Sequence, residues 1–205
     1  FFGAPIEYGD HAGRACLAAI RMKKMENILN EHVTEQNLSP NPLYTRIGIN
    51  TGEMVVGNMG TAQKMDYTMM GNSVNLAARL EGVNKQYGTW ILTSETTRTE
   101  AGENFLFRRL DRVRVVGIKE PVRLFELVDE HAQADATLRE AIDTFEDGLT
   151  LFEQHEWDSA KARFDQTLEL RPDDGPAKLY AKRCGEFKKK GPPANWDGVY
   201  NLTMK

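Results

Sequence analysis

A change of pattern near residue 135 limits the possible folds of this chain most strongly. Up to about residue 128, short runs of β-branched and aromatic residues alternate with helix-like segments, whereas later only helical spacing of apolar residues remains. This order predicts an α+β fold, with helices on a mostly antiparallel sheet as in ferredoxin-like topologies. We therefore expect a mixed region at residues 1–130, a helical region at residues 135–190 and a tail at residues 191–205.

Turn residues and alternating runs predict the elements of the mixed region. Asp10 is expected to cap a helix with an inner stripe of Ala12, Cys16, Ala19 and Met22. The runs "LYTRIGIN" and "EMVVGNMG" predict a strand pair that ends in a loop at residues 57–60. "MDYTMM", "TWILTS", "FLFRRLDRVRVV" and "PVRLFELVD" predict further strands, and a helix follows Gly71.

One spacing in the helical region matches a tetratricopeptide-type helix pair. Its positions are Gly148, Leu151, Ala160, Phe164 and Pro172. A single such unit cannot bury both of its faces, so a third helix within residues 176–187 should complete it and dock on the first region or on a partner. An independent protein-binding groove is the alternative. The tail is either extended on the surface or disordered.

Composition and charge limit the classes of protein to which this chain can belong. The 205 residues carry a formal net charge of -4, and the lysines at 188–190 fit a solvated helix end better than a nucleic-acid site. Two cysteines in the whole chain, Cys16 and Cys184, without metal-type spacing, fit a reducing compartment such as the cytoplasm better than a disulfide framework. No run of residues has the length of a membrane span.

The first residues, "FFGAPIEYGDHA", predict the end of a buried strand followed by a turn. The chain also lacks an initiator methionine. We therefore expect a fragment of a longer protein.

The helix after Gly71 carries an unusual polar sector. Asn72, Asn75, Arg79 and Gly82 share one narrow face, with apolar residues on both sides. Arg79 could pair with a carboxylate while Asn75 holds a loop. Alternatively, the guanidinium binds phosphate oxygens and Asn75 an attached sugar. The chain has neither a Walker-type phosphate loop nor a dinucleotide fingerprint.

Several stretches resemble one known family, the class III nucleotidyl cyclases. In chain order they are "FFGAP", "DHAGRACLAAIRM", "RIGINTGEMVVGNMG", "MDYTMMGNSVNLAARLE" and "VRLFELV". Together they look like the carboxyl-terminal half of the cyclase catalytic domain, over roughly residues 1–128. The most specific element is the Asn-x-x-x-Arg pair within "GNSVNLAARLE".

The resemblance implies roles for individual residues. Asn75 would orient the ribose of the nucleotide, and Arg79 would stabilise the α-phosphate while the 3′-hydroxyl attacks it. Thr68 matches the position that contacts the purine, and its small hydroxyl is similar to adenylate cyclases. The implied reaction converts ATP to 3′,5′-cyclic AMP and pyrophosphate.

Two departures from the family pattern affect these expectations. The family's two metal-binding aspartates and its adenine-selecting lysine precede "FFGAP", so two Mg²⁺ or Mn²⁺ ions would be bound by residues upstream of Phe1. The fragment should then be inactive alone. A phosphate-binding lysine of the family has only a shifted counterpart here, Lys119.

The resemblance also implies partners. The family forms dimers with the active site at the subunit interface, which would make residues 57–65 part of the dimer contact. A plain hairpin turn is the alternative for these residues. A sensor region, in some members membrane-anchored, usually precedes the catalytic domain. The alternative is a regulatory protein and not an enzyme. In that case the cyclase-like region would bind nucleotide or a partner without catalysis, and the helical repeat would carry the main function.

Overall fold

The computed structural model describes residues 1–114, 120–193 and 196–201. Helices and strands alternate up to residue 130, and helices then dominate. In chain order the elements are α1 (His11–Glu35), β1 (Ile47–Ile49), β2 (Val55–Gly60), β3 (Met65–Met70), α2 (Asn72–Tyr87), β4 (Ile91–Ser94), α3 (Glu95–Ala101), β5 (Phe105–Arg114), β6 (Val122–Glu130), a short 3-10 helix (His131–Gln133), α4 (Ala136–Glu153), α5 (Trp157–Leu170), α6 (Gly175–Lys190) and β7 (Tyr200–Asn201).

The main sheet has five strands in the order β1-β4-β6-β5-β7. Strand β6 is antiparallel to both β4 and β5, whereas the β1–β4 and β5–β7 pairs are parallel. Strands β1 and β4 run in the same direction because the intervening α2 forms the crossover between them. The prediction of a mixed α+β fold is confirmed, and the parallel pairs are an addition to it.

The predicted pairing of the first two strands is wrong. Strand β2 pairs with β3 in a separate two-stranded sheet, with Val55 opposite Met70, and β1 pairs with β4 instead. Residues 57–60 lie inside β2, and the turn follows at residues 61–64, where the Thr61 amide donates to the Lys64 carbonyl over 2.8 Å. The next extended run is only a short turn away, so β2 finds its partner there.

Helix α1 confirms most of its predicted inner stripe. Ala12, Cys16 and Ala19 are buried, but Met22 is 58% exposed because it falls outside the arc that these residues define. Asp10 precedes the helix without capping a backbone amide, and its carboxylate instead accepts a hydrogen bond from Arg14 Nε at 2.8 Å.

The first two residues do not form the end of a buried strand. Phe1 and Phe2 are 49% and 43% exposed and lie outside any strand. This expectation from the sequence is therefore wrong.

The helices predicted for residues 135–190 are confirmed as α4, α5 and α6, and α6 is the predicted third helix. They pack against the sheet and α2 of the same chain, in one hydrophobic cluster. The cluster includes Leu80, Leu110, Val113 and Leu124 from the first region and Phe145, Phe164, Tyr180 and Cys184 from the second. The tetratricopeptide assignment and the domain boundaries stay predictions.

Part of the tail is ordered against this body. Strand β7 extends the main sheet beside β5, Val199 is buried, and Trp196 packs in an aromatic group with Phe152 and Phe187. Among the described helices, none combines the length and the apolar character needed to cross a bilayer.

Candidate active site

A sharp turn at Gly71 directs the chain from β3 into α2. Gly71 has φ of 151°, a conformation that side chains strongly disfavour, and the Asn75 amide donates to its carbonyl over 3.1 Å. Among the described residues, no side chain accepts a capping hydrogen bond at this helix start. Because β3 ends at Met70 and α2 begins at Asn72, the first two turns of the helix lie next to the end of the hairpin.

Asn75 and Arg79 lie one turn apart on the outward face of α2. Asn75 is exposed and Arg79 is half-buried. The face is wider than the narrow sector that the sequence predicted, since Ala78, Glu81 and Lys85 are also exposed. Gly82 lies in the same face, and a Cβ atom built on it meets no neighbour within 4 Å. In this chain the polar residues therefore occupy an open surface.

Neither side chain of the pair is engaged within the described ranges. The Arg79 guanidinium has no hydrogen bond or ion pair there, and the Asn75 side-chain amide has no hydrogen bond. The described contacts thus give no support to the reading of a structurally paired arginine. Both groups keep their full hydrogen-bonding capacity for a ligand.

Helix α2 is held tightly on its inner side. A Cβ atom on Gly48 of β1 would overlap the Ala77 carbonyl oxygen and the Glu81 amide nitrogen, so the helix backbone rests directly on the strand. Asn84 is fully buried, and its Nδ2 donates to the Ile47 carbonyl over 3.0 Å while its Oδ1 accepts from Thr89 Oγ1 at 2.9 Å.

These two anchors were not predicted from the sequence. The available signal was an asparagine on the buried arc of an amphipathic helix, four residues after Leu80, where an amide needs partners. Their effect is to fix the base from which Asn75 and Arg79 project.

The other two predicted ligand-binding residues have different outcomes. Thr68 is half-buried in β3, opposite Gly57, on the hairpin face that also carries Val55 and Met70. It precedes Gly71 by three residues, so it lies near the start of α2. Lys119 falls outside the described residues.

The two main cavities of the described residues lie away from the candidate residues. Two cavities of about 370 and 290 Å³ are present elsewhere, and neither is lined by Thr68, Asn75 or Arg79. Across residues 1–114, 120–193 and 196–201, no group of three or more His, Cys, Asp or Glu side chains is placed so that it could hold a metal ion. What the described residues provide is a pair of hydrogen-bond donors, the side chains of Asn75 and Arg79, on an open surface where an anion could bind.

Comparison with known proteins gives a consistent result. A sequence profile described as the adenylate and guanylate cyclase catalytic domain matches residues 2–129. The terminal-differentiation specific adenylate cyclase of Dictyostelium discoideum is 33% identical over 144 residues. That match covers 68% of this chain but only 7% of the relative, so the chain spans a small part of that protein.

Solved structures agree with the sequence comparison. The adenylyl cyclase CyaB from P. aeruginosa is 33% identical, with a TM-score of 0.58 over 65% of this chain and 68% of that one. The guanylyl cyclase Cya2 is 34% identical, with a TM-score of 0.57 over 65% and 66%. The two substrate classes are thus matched about equally well.

Proposed function

The chain belongs to the family of adenylate and guanylate cyclase catalytic domains, and from this membership we propose that it forms the nucleotide-binding half of an adenylate cyclase active site. The observation that carries the proposal is the Asn75–Arg79 pair on the outer face of α2. Both side chains project from a rigidly anchored helix, and neither has a partner within the described part of the chain.

In the proposed reaction, the 3′-hydroxyl of ATP gives up its proton to solvent water and its oxygen attacks the α-phosphorus. The bond from the α-phosphorus to the oxygen that bridges it to the β-phosphorus breaks, and pyrophosphate leaves. Negative charge develops on the α-phosphate oxygens during this step. Arg79 supplies a permanent positive charge and a planar set of donors to these oxygens. Asn75, one turn earlier on the helix, holds the ribose through its amide. The products are 3′,5′-cyclic AMP and pyrophosphate.

We assign Thr68 to the purine. Its hydroxyl both donates and accepts a hydrogen bond, and its half-buried place in β3 is compatible with contact to a ring held near the start of α2. The proposal that ATP is the substrate rests on the presence of a threonine at this position. Lys119 remains a proposed phosphate contact.

Two divalent ions, Mg²⁺ or Mn²⁺, belong to the proposal, and the described residues contain no group of three potential metal ligands. We propose, from the family resemblance, that two aspartates outside residues 1–205 would bind the ions. Bound ions would supply charge neutralisation at the nucleotide phosphates. The isolated chain is accordingly proposed to be inactive.

We further propose a homodimer whose partner subunit covers the outer face of α2. An open surface leaves phosphate exposed to water, where electrostatic stabilisation is weak. A partner would turn this surface into a closed site. We also propose that this region lies in the cytoplasm, since both cysteines are buried and free.

The test is cyclic nucleotide formation by the complete protein that the gene encodes, with Mn²⁺ and either ATP or GTP. The Arg79→Ala variant should lose about 10²- to 10³-fold in kcat with ATP. Lys85→Ala is the matched control, since Lys85 is exposed on the same helix, and it should keep its rate. Failure of a folded protein to convert either nucleotide would favour a non-catalytic module, and preference for GTP would overturn the assignment of Thr68.

A further inference from the structure

The last turn of α2 touches the first turn of α6. Helix α2 ends at Tyr87, and Gly88 caps it in a left-handed conformation with φ of 69°. A Cβ atom on Gly175, the first residue of α6, would overlap the Tyr87 carbonyl oxygen and lie 2.9 Å from Gly88 Cα. The two helix backbones therefore meet without any side chain between them.

A buried carboxylate joins the same two helices to the sheet. Asp111 Oδ2 of β5 accepts a hydrogen bond from the Tyr87 hydroxyl at 2.5 Å and another from Arg183 Nη1 of α6 at 2.8 Å. All three side chains are almost fully buried. Burial and the charge of Asp111 raise the pKa of Tyr87 well above its usual value, so the hydroxyl stays a donor.

A second buried ion group fixes the start of α6. Asp174 caps this helix through Oδ1, which accepts from the Ala177 amide at 2.9 Å, while its Oδ2 accepts from Arg108 Nη1 at 2.6 Å. Arg108 also donates from Nε to Glu126 of β6 over 2.9 Å. The position of α6 relative to the sheet is thus set by directional bonds as well as by apolar packing.

We propose that α6 is a positioning element for the nucleotide-binding helix, acting through Gly175, Arg183 and Asp111 on the end of α2. Helix α2 is a rigid rod, so a displacement at Tyr87 is transmitted to Arg79 two turns away. The inference rests on the proposed function of Arg79. It assigns a role in the reaction to a helix outside residues 2–129, which match the cyclase profile.

Substitution of Gly175 by alanine tests this proposal in the complete protein. The added methyl must push α6 away from the end of α2, and we expect kcat with ATP to fall about tenfold while KM changes less than twofold. Gly185→Ala is the matched control on the same helix, because a Cβ atom there meets no neighbour within 4 Å. Equal kcat values for the two variants would overturn the proposal.

A double-mutant cycle separates positioning from general damage. If Gly175→Ala acts through Arg79, it should lower kcat less than twofold in the Arg79→Ala background. A full tenfold loss in that background would show that the methyl acts by another route and would contradict the proposal.

If Gly175→Ala does not fold, Tyr87→Phe takes its place, since it removes only the hydroxyl that binds Asp111. We expect a loss of about threefold or more in kcat, and an unchanged kcat would contradict the proposal. Amide hydrogen exchange of residues 80–87 gives a readout that does not depend on activity, and it should accelerate in either variant. Absence of any product from the natural protein would refute the proposed function, whereas unchanged exchange would refute the role of α6 alone.

Discussion

At the scale of single residues, two asparagines on α2 have opposite environments. Asn84 is fully buried with its amide bonded to β1 and to Thr89, whereas the Asn75 side chain is exposed and has no partner within the described ranges. The same residue type thus stabilises the helix at one position and is available to a ligand at the other. Stability and function should respond separately to substitution at these two sites.

Asn84→Ala should lower the free energy of unfolding by about 2–3 kcal/mol, because the Ile47 carbonyl and the Thr89 hydroxyl lose a buried partner. Asn75→Ala is the control and should change it by less than about 0.5 kcal/mol. Urea denaturation followed by circular dichroism measures both. Similar losses for the two variants would contradict the assignment of Asn84 as an anchor.

The buried thiol of Cys16 predicts a loss of stability in alkali. Burial raises the pKa of Cys16 to about 12, from an ordinary value of 9.0. The native state binds this proton more tightly than the unfolded state does, so the stabilisation is complete below pH 9 and is lost as the pH rises towards 12. Unfolding free energies of the natural chain should therefore fall more steeply over this range than those of Cys16→Ala. Parallel curves would refute the shift.

At the scale of elements, the strands that alternate or stay apolar could be predicted from the sequence, but their pairing could not. The runs "TWILTS" and "PVRLFELVD" became β4 and β6 as expected. The pairing of β1 was missed because it depends on α2 crossing over to β4, and that contact joins residues 44 positions apart, such as Ile47 and Ile91. Such long-range contacts leave little local signal.

The candidate site shows the same limit. Asn75 and Arg79 could be found because helical spacing places them on one face. The width of that face could not be predicted, since it depends on which neighbours stay uncovered. The contact of Gly48 with α2 also escaped detection, because a glycine in a strand signals several different arrangements.

Gly48→Ala should therefore lower the free energy of unfolding by about 1–3 kcal/mol, since the methyl would overlap the backbone of α2. Gly57→Ala is the matched control in β2, where a Cβ atom meets no neighbour within 4 Å. Thermal unfolding of the two variants is the measurement. A melting temperature of Gly48→Ala equal to that of the control would disprove the close approach of β1 and α2.

At the scale of the whole molecule, apolar exposure is distributed unevenly. Every exposed large apolar side chain in the described ranges lies within residues 1–90. The β2–β3 hairpin carries them on both faces, with Val55 and Met70 on one and Met65 and Tyr67 on the other. A two-stranded hairpin is marginally stable alone, and an apolar surface of this kind is typical of an interface.

Helix α1 also exposes large apolar side chains, such as Met25 and Ile28. We expect the hairpin rather than α1 to mediate self-association, because the family resemblance places residues 57–65 in the dimer contact. Tyr67→Arg should raise the dimer dissociation constant about 10²-fold or more, because it places a charge in the apolar surface. Ile28→Arg is the control, since Ile28 on α1 is exposed to a similar degree. Sedimentation velocity over a range of concentrations compares the two, and dissociation caused by the α1 variant alone would move the interface to that helix.

The shared hydrophobic cluster also has a consequence for protein synthesis. Leu110 and Val113 are fully buried, and they belong to the same hydrophobic cluster as Phe145, Tyr180 and Cys184 from the last helices. A nascent chain that has left the ribosome only as far as residue 130 cannot yet cover these leucine and valine side chains. Residues up to about 190 must leave the ribosome before the sheet is protected, so chaperones and proteases have access to it during that interval.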